Sequence, residues 1–206
     1  MRTTKTKRIL ATLVGVISIV SLLMGAFSAV AAPASEEGPE RRGNDDIDLA
    51  IIIPSLPYYN TQNTTRATTA EDDPSLSCIG GQGYNSVWYQ YTPAVDEQVV
   101  VDSFGSSYNT VLGVWTGSRG ALTGVACNDD AEDTLQSQAY FPATGGTTYF
   151  FEFVGSSEDA KGDLNVCVDK QIYGDVPLDY INRKWIHAIH YYGVTSGCGG
   201  GNYCPS

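Results

Sequence analysis

Three pairs of adjacent aspartates are the residues of this 206-residue chain whose type and spacing best suit chemistry. They are Asp45–Asp46, Asp72–Asp73 and Asp129–Asp130, and each stands in a loop at the edge of a predicted strand. Such loops supply hard oxygen ligands, and Ca²⁺ takes about six to eight of them. Asp and Asn side chains also cap turns by accepting hydrogen bonds from the nearby backbone. The residues alone leave calcium binding and turn capping both open.

Catalytic groups are otherwise scarce. The two histidines, His187 and His190, lie three residues apart on the polar side of a predicted helix, so we expect a solvated pair rather than a catalytic or metal site. The sequence contains no G-x-S-x-G, H-E-x-x-H or phosphate-loop motif. Two carboxylates could hydrolyse a glycoside, but these acids stand in turns rather than in an obvious cleft. We therefore expect that the protein is not an enzyme.

The N-terminal region predicts export. Four basic residues precede an uncharged apolar stretch at 9–30, and a small-x-small pattern places a cleavage site after Ala31. The sequence therefore predicts a signal peptide over residues 1–31. An uncleaved anchor is the alternative, because the apolar stretch is long enough to cross a bilayer.

The charge of the chain excludes two classes of partner. The formal net charge is −11, and loss of the four basic residues with the signal peptide leaves 8 lysines and arginines against 23 acidic residues, about −15. Nucleic acids and anionic membrane surfaces both require basic contacts. We expect a secreted, cell-envelope-associated protein that binds no nucleic acid and, after cleavage, no membrane.

The body, residues 44–168, predicts an all-β domain. Short runs rich in β-branched and aromatic residues alternate with clusters of Gly, Asn, Asp and Pro. The predicted strands are residues 47–53, 86–92, 98–104, 110–116, 134–141, 147–154 and 163–168. Seven strands without an interleaved helix indicate an antiparallel β-sandwich or jelly roll. Residues 32–43 and 169–174 are predicted linkers.

Six motifs in the body resemble bacterial pre-peptidase C-terminal domains. They are NDDIDLAIII at 44, EDDPSLSC at 71, SVWYQYTP at 86, GSSYNTVLGVWTG at 105, VACNDD at 125 and ATGGTTYFFEFVG at 143. These β-sandwich modules are appended to secreted proteases and surface proteins, and the collagen-binding modules of clostridial collagenases are relatives. Members of this family are mostly non-catalytic appendages, so the resemblance implies the same role here. It names no ligand, because a shared sandwich fold does not set one.

The same resemblance implies a calcium site. In the collagen-binding relatives, acidic and Asn residues of the N-terminal segment hold Ca²⁺ together with an Asp before the next strand. The corresponding residues here are Asn44, Asp45, Asp46, Asp72 and Asp73. A second tier of candidate ligands is Asn128, Asp129 and Asp130. The relatives also use glutamates further upstream, and the nearest acidic residue upstream here is Glu40, separated by Arg41, Arg42 and Gly43.

Five cysteines in an exported chain predict disulfides with one residue left over. Cys198 and Cys204 share a glycine-rich loop and are the easiest pair to close. For the body, the resemblance pairs Cys78 with Cys127, because both stand in the matching motifs. We expect Cys167 to stay outside both bridges.

The C-terminal residues 175–206 resemble the first half of an S-layer homology repeat. DVP opens the segment, and a GVTSG motif with two cysteines follows a predicted helix. An apolar stripe at helical spacing is formed by Ile181, Trp185, Ala188, Ile189 and Tyr192. The sequence ends before the second helix and its Thr-Arg motif, so we expect that this partial repeat does not anchor the protein.

Three functions follow as hypotheses. The first is a non-catalytic secreted or cell-envelope protein, with a cell-wall polymer as its partner. The second is a Ca²⁺-dependent binding appendage for an extracellular polysaccharide or protein. Its ligand platform would consist of exposed aromatic residues, namely Tyr58, Tyr59, Tyr84 and Tyr108. The alternative is that these tyrosines fill the bases of loops against the sandwich. The third is a remnant or accessory portion of a secreted protease.

Overall fold

A computed structural model describes residues 43–131, 134–171 and 202. The described residues form two β-sheets. The five-stranded sheet has the order β1-β3-β8-β5-β6, and the four-stranded sheet has the order β2-β9-β4-β7. The strands are β1 (Ile51–Ile52), β2 (Tyr58–Asn63), β3 (Tyr84–Tyr91), β4 (Glu97–Asp102), β5 (Thr110–Ser118), β6 (Ala121–Asn128), β7 (Gln138–Ala143), β8 (Tyr149–Gly155) and β9 (Asp163–Lys170).

The main core lies between the two sheets. Alternate residues of each strand point to the same face, so every second side chain of β3 and β8 enters this core. Val87, Tyr89 and Tyr91 from β3 meet Val99 and Val101 from β4 there. The predicted β-sandwich is therefore confirmed for the described residues, and Val87, Tyr89 and Tyr91 share one face of β3.

Two strands and one segment differ from the sequence predictions. β2 and β6 were not predicted, because YYNTQN is polar and ALTGVACN is interrupted by glycine. Residues 47–53 do not form the single strand that their apolar run predicts. They begin as a short 3-10 helix, Ile47–Leu49, and continue as the two-residue β1, which is parallel to β3.

The five-stranded sheet also buries its other face. The residues that alternate with the main core join a second group of buried side chains, called here the outer cluster. Its members are Ile47, Ala50, Leu76, Trp88, Val111, Trp115 and Val154. The N-terminal segment (residues 43–53) and the disulfide loop (residues 71–83) supply the covering residues. The face of β8 that carries Glu152 is therefore an interior face, although a charged residue between phenylalanines is typical of a solvent-facing position.

A disulfide attaches the covering loop to the sheet. Cys78 and Cys127 are bonded, with their Cα atoms 5.6 Å apart, which confirms the predicted pair. Close by, Leu76 occupies the space above Gly113, where an added Cβ would lie 2.6 Å from Leu76 Cδ2. The absence of a side chain at Gly113 thus allows the loop to approach the sheet.

Several sequence predictions lie outside the described residues. These are the signal peptide, the Cys198–Cys204 bridge, the two histidines and the C-terminal helix with its partial S-layer homology repeat. Within the described ranges, no helix has the length and apolar character needed to cross a membrane. Cys167 lies half-buried on β9 and takes no part in the Cys78–Cys127 bridge.

We expect the double substitution Cys78→Ser/Cys127→Ser to lower the free energy of unfolding by about 3–4 kcal/mol. The bridge closes a separation of 49 residues and restricts the unfolded chain accordingly. Urea unfolding of the oxidised proteins measures the loss, and Cys167→Ser serves as the control that removes a thiol but keeps the bridge. An unchanged midpoint in the double variant would contradict the assignment of the bridge as a main stabilising link.

Candidate functional site

The first predicted calcium ligands are fixed to neighbouring strands and loops. Asn44 donates its side-chain amide to the carbonyl oxygen of Trp88 at 3.0 Å, and the Trp88 amide donates back to the Asn44 carbonyl at 2.7 Å. Asp45 is buried and accepts from Thr68 twice, at Oδ1 from the backbone N–H at 2.7 Å and at Oδ2 from the hydroxyl at 2.8 Å. These contacts hold the N-terminal segment to β3 and to the loop before the disulfide.

Asp73 caps a turn. Its Oδ2 accepts from the backbone N–H of Ala70 at 2.8 Å and from the hydroxyl of Ser86 at 2.6 Å. The first bond spans three residues and is the turn chemistry that Asp side chains favour. The second bond joins this turn to β3. Asp73 therefore links the start of the disulfide loop to the sheet.

Three carboxylates surround one guanidinium, and this group is called here the Arg119 cluster. Arg119 Nη1 donates to Asp46 Oδ1 at 2.7 Å and to Asp48 Oδ2 at 2.9 Å. Its Nε and Nη2 donate to the two oxygens of Asp72 at 2.7 and 3.2 Å. The hydrogen bonds to Asp72 and then to Asp48 raise the pKa of Arg119 above its ordinary value.

A tight hairpin places Arg119 in this position. β5 and β6 pair as far as Ser118 and Ala121, so only Arg119 and Gly120 form the loop. Gly120 has a φ of 76°, a conformation that glycine adopts without the cost it carries for other residues. The hairpin directs the side chain toward Asp46 and Asp72, which stand on segments 73 and 47 residues earlier in the chain.

The side chains predicted to bind calcium are not arranged around a common point where an ion could be coordinated. Asp45 and Asp73 accept hydrogen bonds from protein donors, and Asp46 and Asp72 share Arg119. Within the described ranges, no group of three or more His, Cys, Asp or Glu side chains is placed to hold a metal ion. Calcium binding by these residues stays a prediction, and it would require the protein donors to be displaced.

The second tier of candidate ligands lies elsewhere. Asn128 ends β6 and accepts from the Gln138 amide at 2.8 Å, which ties β6 to β7. The strand rise separates Asn128 from Ala121, next to the hairpin, by about 23 Å. Asp129 Oδ1 is buried without a hydrogen-bond partner in the described structure, and burial followed by the charge of Asp130 raises the pKa of Asp129. This tier therefore cannot share an ion with the Arg119 cluster.

Sequence reasoning missed two members of these networks. Asp48 belongs to none of the adjacent Asp pairs, although the DDxD spacing that it forms with Asp45 and Asp46 is a signal that could identify it. Arg119 carries no local signal at all, since its partners come from distant segments. The tyrosines predicted as a platform also separate: Tyr58 and Tyr108 pack against the main core, whereas Tyr59 and Tyr84 are exposed on different sheets.

Glu152 is a carboxylic acid inside the outer cluster. It is fully buried on β8, pairs across the sheet with Trp88 and Gly113, and accepts at Oε2 from Trp115 Nε1 at 3.0 Å. Its Oε1 has no hydrogen-bond partner in the described structure. Burial, and secondly the charge of Asp73, raise the pKa of Glu152 well above its usual range, although the Trp115 bond opposes the shift.

Comparisons with known proteins give a limited result. No family model and no curated protein matches the chain, and none of the comparisons identified an S-layer homology repeat.

The solved structures that are similar at the level of the chain trace include the following two. The pre-peptidase C-terminal domain of collagenase from Bacillus anthracis covers 58% of this chain and 94% of its own, at 14% identity and a TM-score of 0.40. PliG from Aeromonas hydrophila, a periplasmic inhibitor of g-type lysozyme, covers 59% and 96%, at 14% identity and a TM-score of 0.35. One of them is a domain of the type that the six motifs resemble. These values assign neither family nor function.

We expect Glu152→Gln to raise stability at pH 8 and to leave it nearly unchanged near pH 4. A folded-state pKa above the ordinary value of 4.5 means that the folded protein binds this proton more tightly. Stability from this group is therefore complete below pH 4.5 and falls as the pH rises above it. Glutamine keeps an acceptor for Trp115 and does not titrate.

Urea unfolding midpoints at the two pH values measure the effect, with Glu158→Gln as the control that removes the same charge from an exposed position. A variant less stable than the wild type at pH 8 would mean that the fold needs the ionised carboxylate.

Proposed function

We propose that this chain is a non-catalytic accessory protein of the cell envelope, exported and built around a rigid β-sandwich. The observation that carries the proposal is the use made of its polar side chains. Asp45, Asp73 and Ser86 join loops to the sheet, and Asp46 and Asp72 take up Arg119. These groups are committed to holding the covering segments, which is the role expected in a domain that supports binding rather than a reaction.

The second support is the bridge between Cys78 and Cys127. Disulfides persist in oxidising compartments and are rare in the cytosol. A stabilising bridge in the middle of the domain agrees with the signal peptide predicted at residues 1–31. The proposed location is therefore outside the cytoplasmic membrane, with cleavage after Ala31.

The proposed partner is a cell-wall polymer, with an extracellular polysaccharide or protein as the alternative. The negative charge of the chain disfavours acidic polymers and suits a neutral or basic surface. The sandwich serves as the spacer, while the partial repeat at residues 175–206 is proposed to need further repeats before it anchors. A role as the accessory portion of a secreted protease is compatible with the same sandwich.

We expect a protein of residues 32–206 to remain in the supernatant when purified sacculi are pelleted. Residues 175–206 resemble only the first half of a wall-binding repeat, and the second helix and Thr-Arg motif of such repeats are not among them. The measurement compares the mature protein with a variant truncated after Gln171 and with a fusion in which complete repeats follow residue 206. The fusion alone should pellet.

Two results would contradict this expectation in different ways. Pelleting of the mature protein but not of the truncated variant would mean that residues 175–206 anchor by themselves. Pelleting of both would assign polymer binding to the sandwich, and the binding-appendage hypothesis would replace the spacer.

A further inference from the structure

We propose that residues 172–206 pack on the outer face of the four-stranded sheet, through the apolar stripe of their predicted helix. This face is the side of the sheet that points away from the main core. Its central residues are buried, although they belong to neither of the two apolar clusters. The inference concerns an interaction within the chain and does not depend on the proposed function.

Val100 is the central apolar residue of this face. Its neighbours in β4, Val99 and Val101, both enter the main core, so Val100 points to the opposite side of the sheet. Across the sheet it stands beside Tyr140 of β7 and Asp169 of β9. Val100 is 0% exposed and Asp169 is 2% exposed. Short side chains on a solvated sheet face keep contact with water, so this burial indicates a covering layer.

A loop of the sandwich, residues 103–107, lies at one end of the same face. There Asn165 Nδ2 donates to the carbonyl oxygen of Gly105 at 2.7 Å. Asn165 stands four residues before Asp169 on β9, which is about 13 Å by strand rise. The loop therefore leaves the centre of the face, at Val100, to another part of the chain.

Residues 172–206 are the segment best suited to this place. They follow β9 directly, and the Gln171 N–H donates to the Gln98 carbonyl oxygen of β4 at 3.0 Å, beside the face in question. At the other end of the chain, residues 1–31 are the predicted signal peptide. Residues 32–42, APASEEGPERR, contain no large apolar side chain that could cover a valine.

The predicted helix carries an apolar stripe of matching length. The stripe runs from Ile181 to Tyr192, about 17 Å at the rise of an α-helix. Four strands side by side span about 14 Å between the two outermost. A helix of about a dozen residues is marginal in water by itself, so it needs a surface on which to bury this stripe.

The charges of the two surfaces are complementary. Residues 180–192 contain Arg183 and Lys184 and no acidic residue, although the chain as a whole is strongly acidic. The sheet face contributes the buried carboxylates of Asp102 and Asp169. Burial of a carboxylate is costly unless charged or polar groups compensate it. Lys184 borders the apolar stripe at helical spacing and is therefore well placed to contribute to this compensation.

The first test is a double-mutant cycle on a protein of residues 32–206, measured as urea unfolding midpoints. Val100→Ala and Trp185→Ala each remove part of the proposed contact, so the shift of the double variant should be smaller than the sum of the single shifts. Val101→Ala is the matched control, because it removes the same atoms from an equally buried neighbour that faces the main core. Its shift should add in full to that of Trp185→Ala.

The second test reports on the sheet face without denaturant. Cys167 alternates with core residues of β9 and lies half-buried on this face. In a Cys198→Ser/Cys204→Ser background, Trp185→Ala should raise the rate of maleimide labelling at Cys167 several-fold. Ile186→Ala, which removes an apolar side chain outside the stripe, should leave the rate unchanged.

Any of three results would overturn the proposal. Additive shifts of Val100→Ala and Trp185→Ala would mean that the stripe does not pack on this face. A labelling rate that Trp185→Ala leaves unchanged, or that Ile186→Ala raises equally, would mean that the stripe does not cover Cys167. A dimer in sedimentation velocity that Trp185→Ala dissociates would mean that the stripe packs on a second copy of the chain.

Discussion

The side chains of Trp88, Trp115 and Val154 project from the five-stranded sheet on the side away from the four-stranded sheet. The chain therefore has to supply a second apolar layer to cover them. The N-terminal segment and the disulfide loop provide this layer, although neither contains a long strand or helix. Short irregular segments have little stability of their own, since each ordered residue loses backbone entropy. Most of the specific polar contacts described above serve to hold this cover in place.

The sequence predicted the main core well, because its signal is local. Every second residue of a strand points to the same face, so the apolar residues Val87, Tyr89 and Tyr91 predict directly which side chains of β3 enter the core. Burial of the outer face of the five-stranded sheet could not be predicted from local sequence in the same way. A Glu between two phenylalanines in FFEF indicates a solvent-facing position, yet Glu152 is enclosed by residues that lie 64 to 105 positions earlier, such as Ile47 and Trp88. The edge strand β2 was not predicted either, because its residues are too polar to produce a strand pattern in the sequence.

The three Asp pairs show how much of a site depends on tertiary placement. Asp45 and Asp46 are adjacent and chemically identical, yet one is buried against Thr68 and the other reaches Arg119 at the rim. Adjacency in the sequence therefore does not bring these two carboxylates to the same partner. The resemblance identified the Cys78–Cys127 disulfide correctly, but it gives no sign that a distant hairpin brings Arg119 to Asp46 and Asp72.

The disulfide loop is attached to β6 at both ends of that strand. Asp72 meets Arg119 just before β6 begins, and Cys78 is bonded to Cys127 near its end, about 20 Å away by strand rise. β6 is an edge strand, and unpaired edges invite association with other chains. The two attachments fail under different conditions, because salt screens the ion pair and reducing agents break the covalent bond. An oxidising compartment with variable ionic strength, such as the cell exterior, leaves the covalent attachment intact when the electrostatic one weakens.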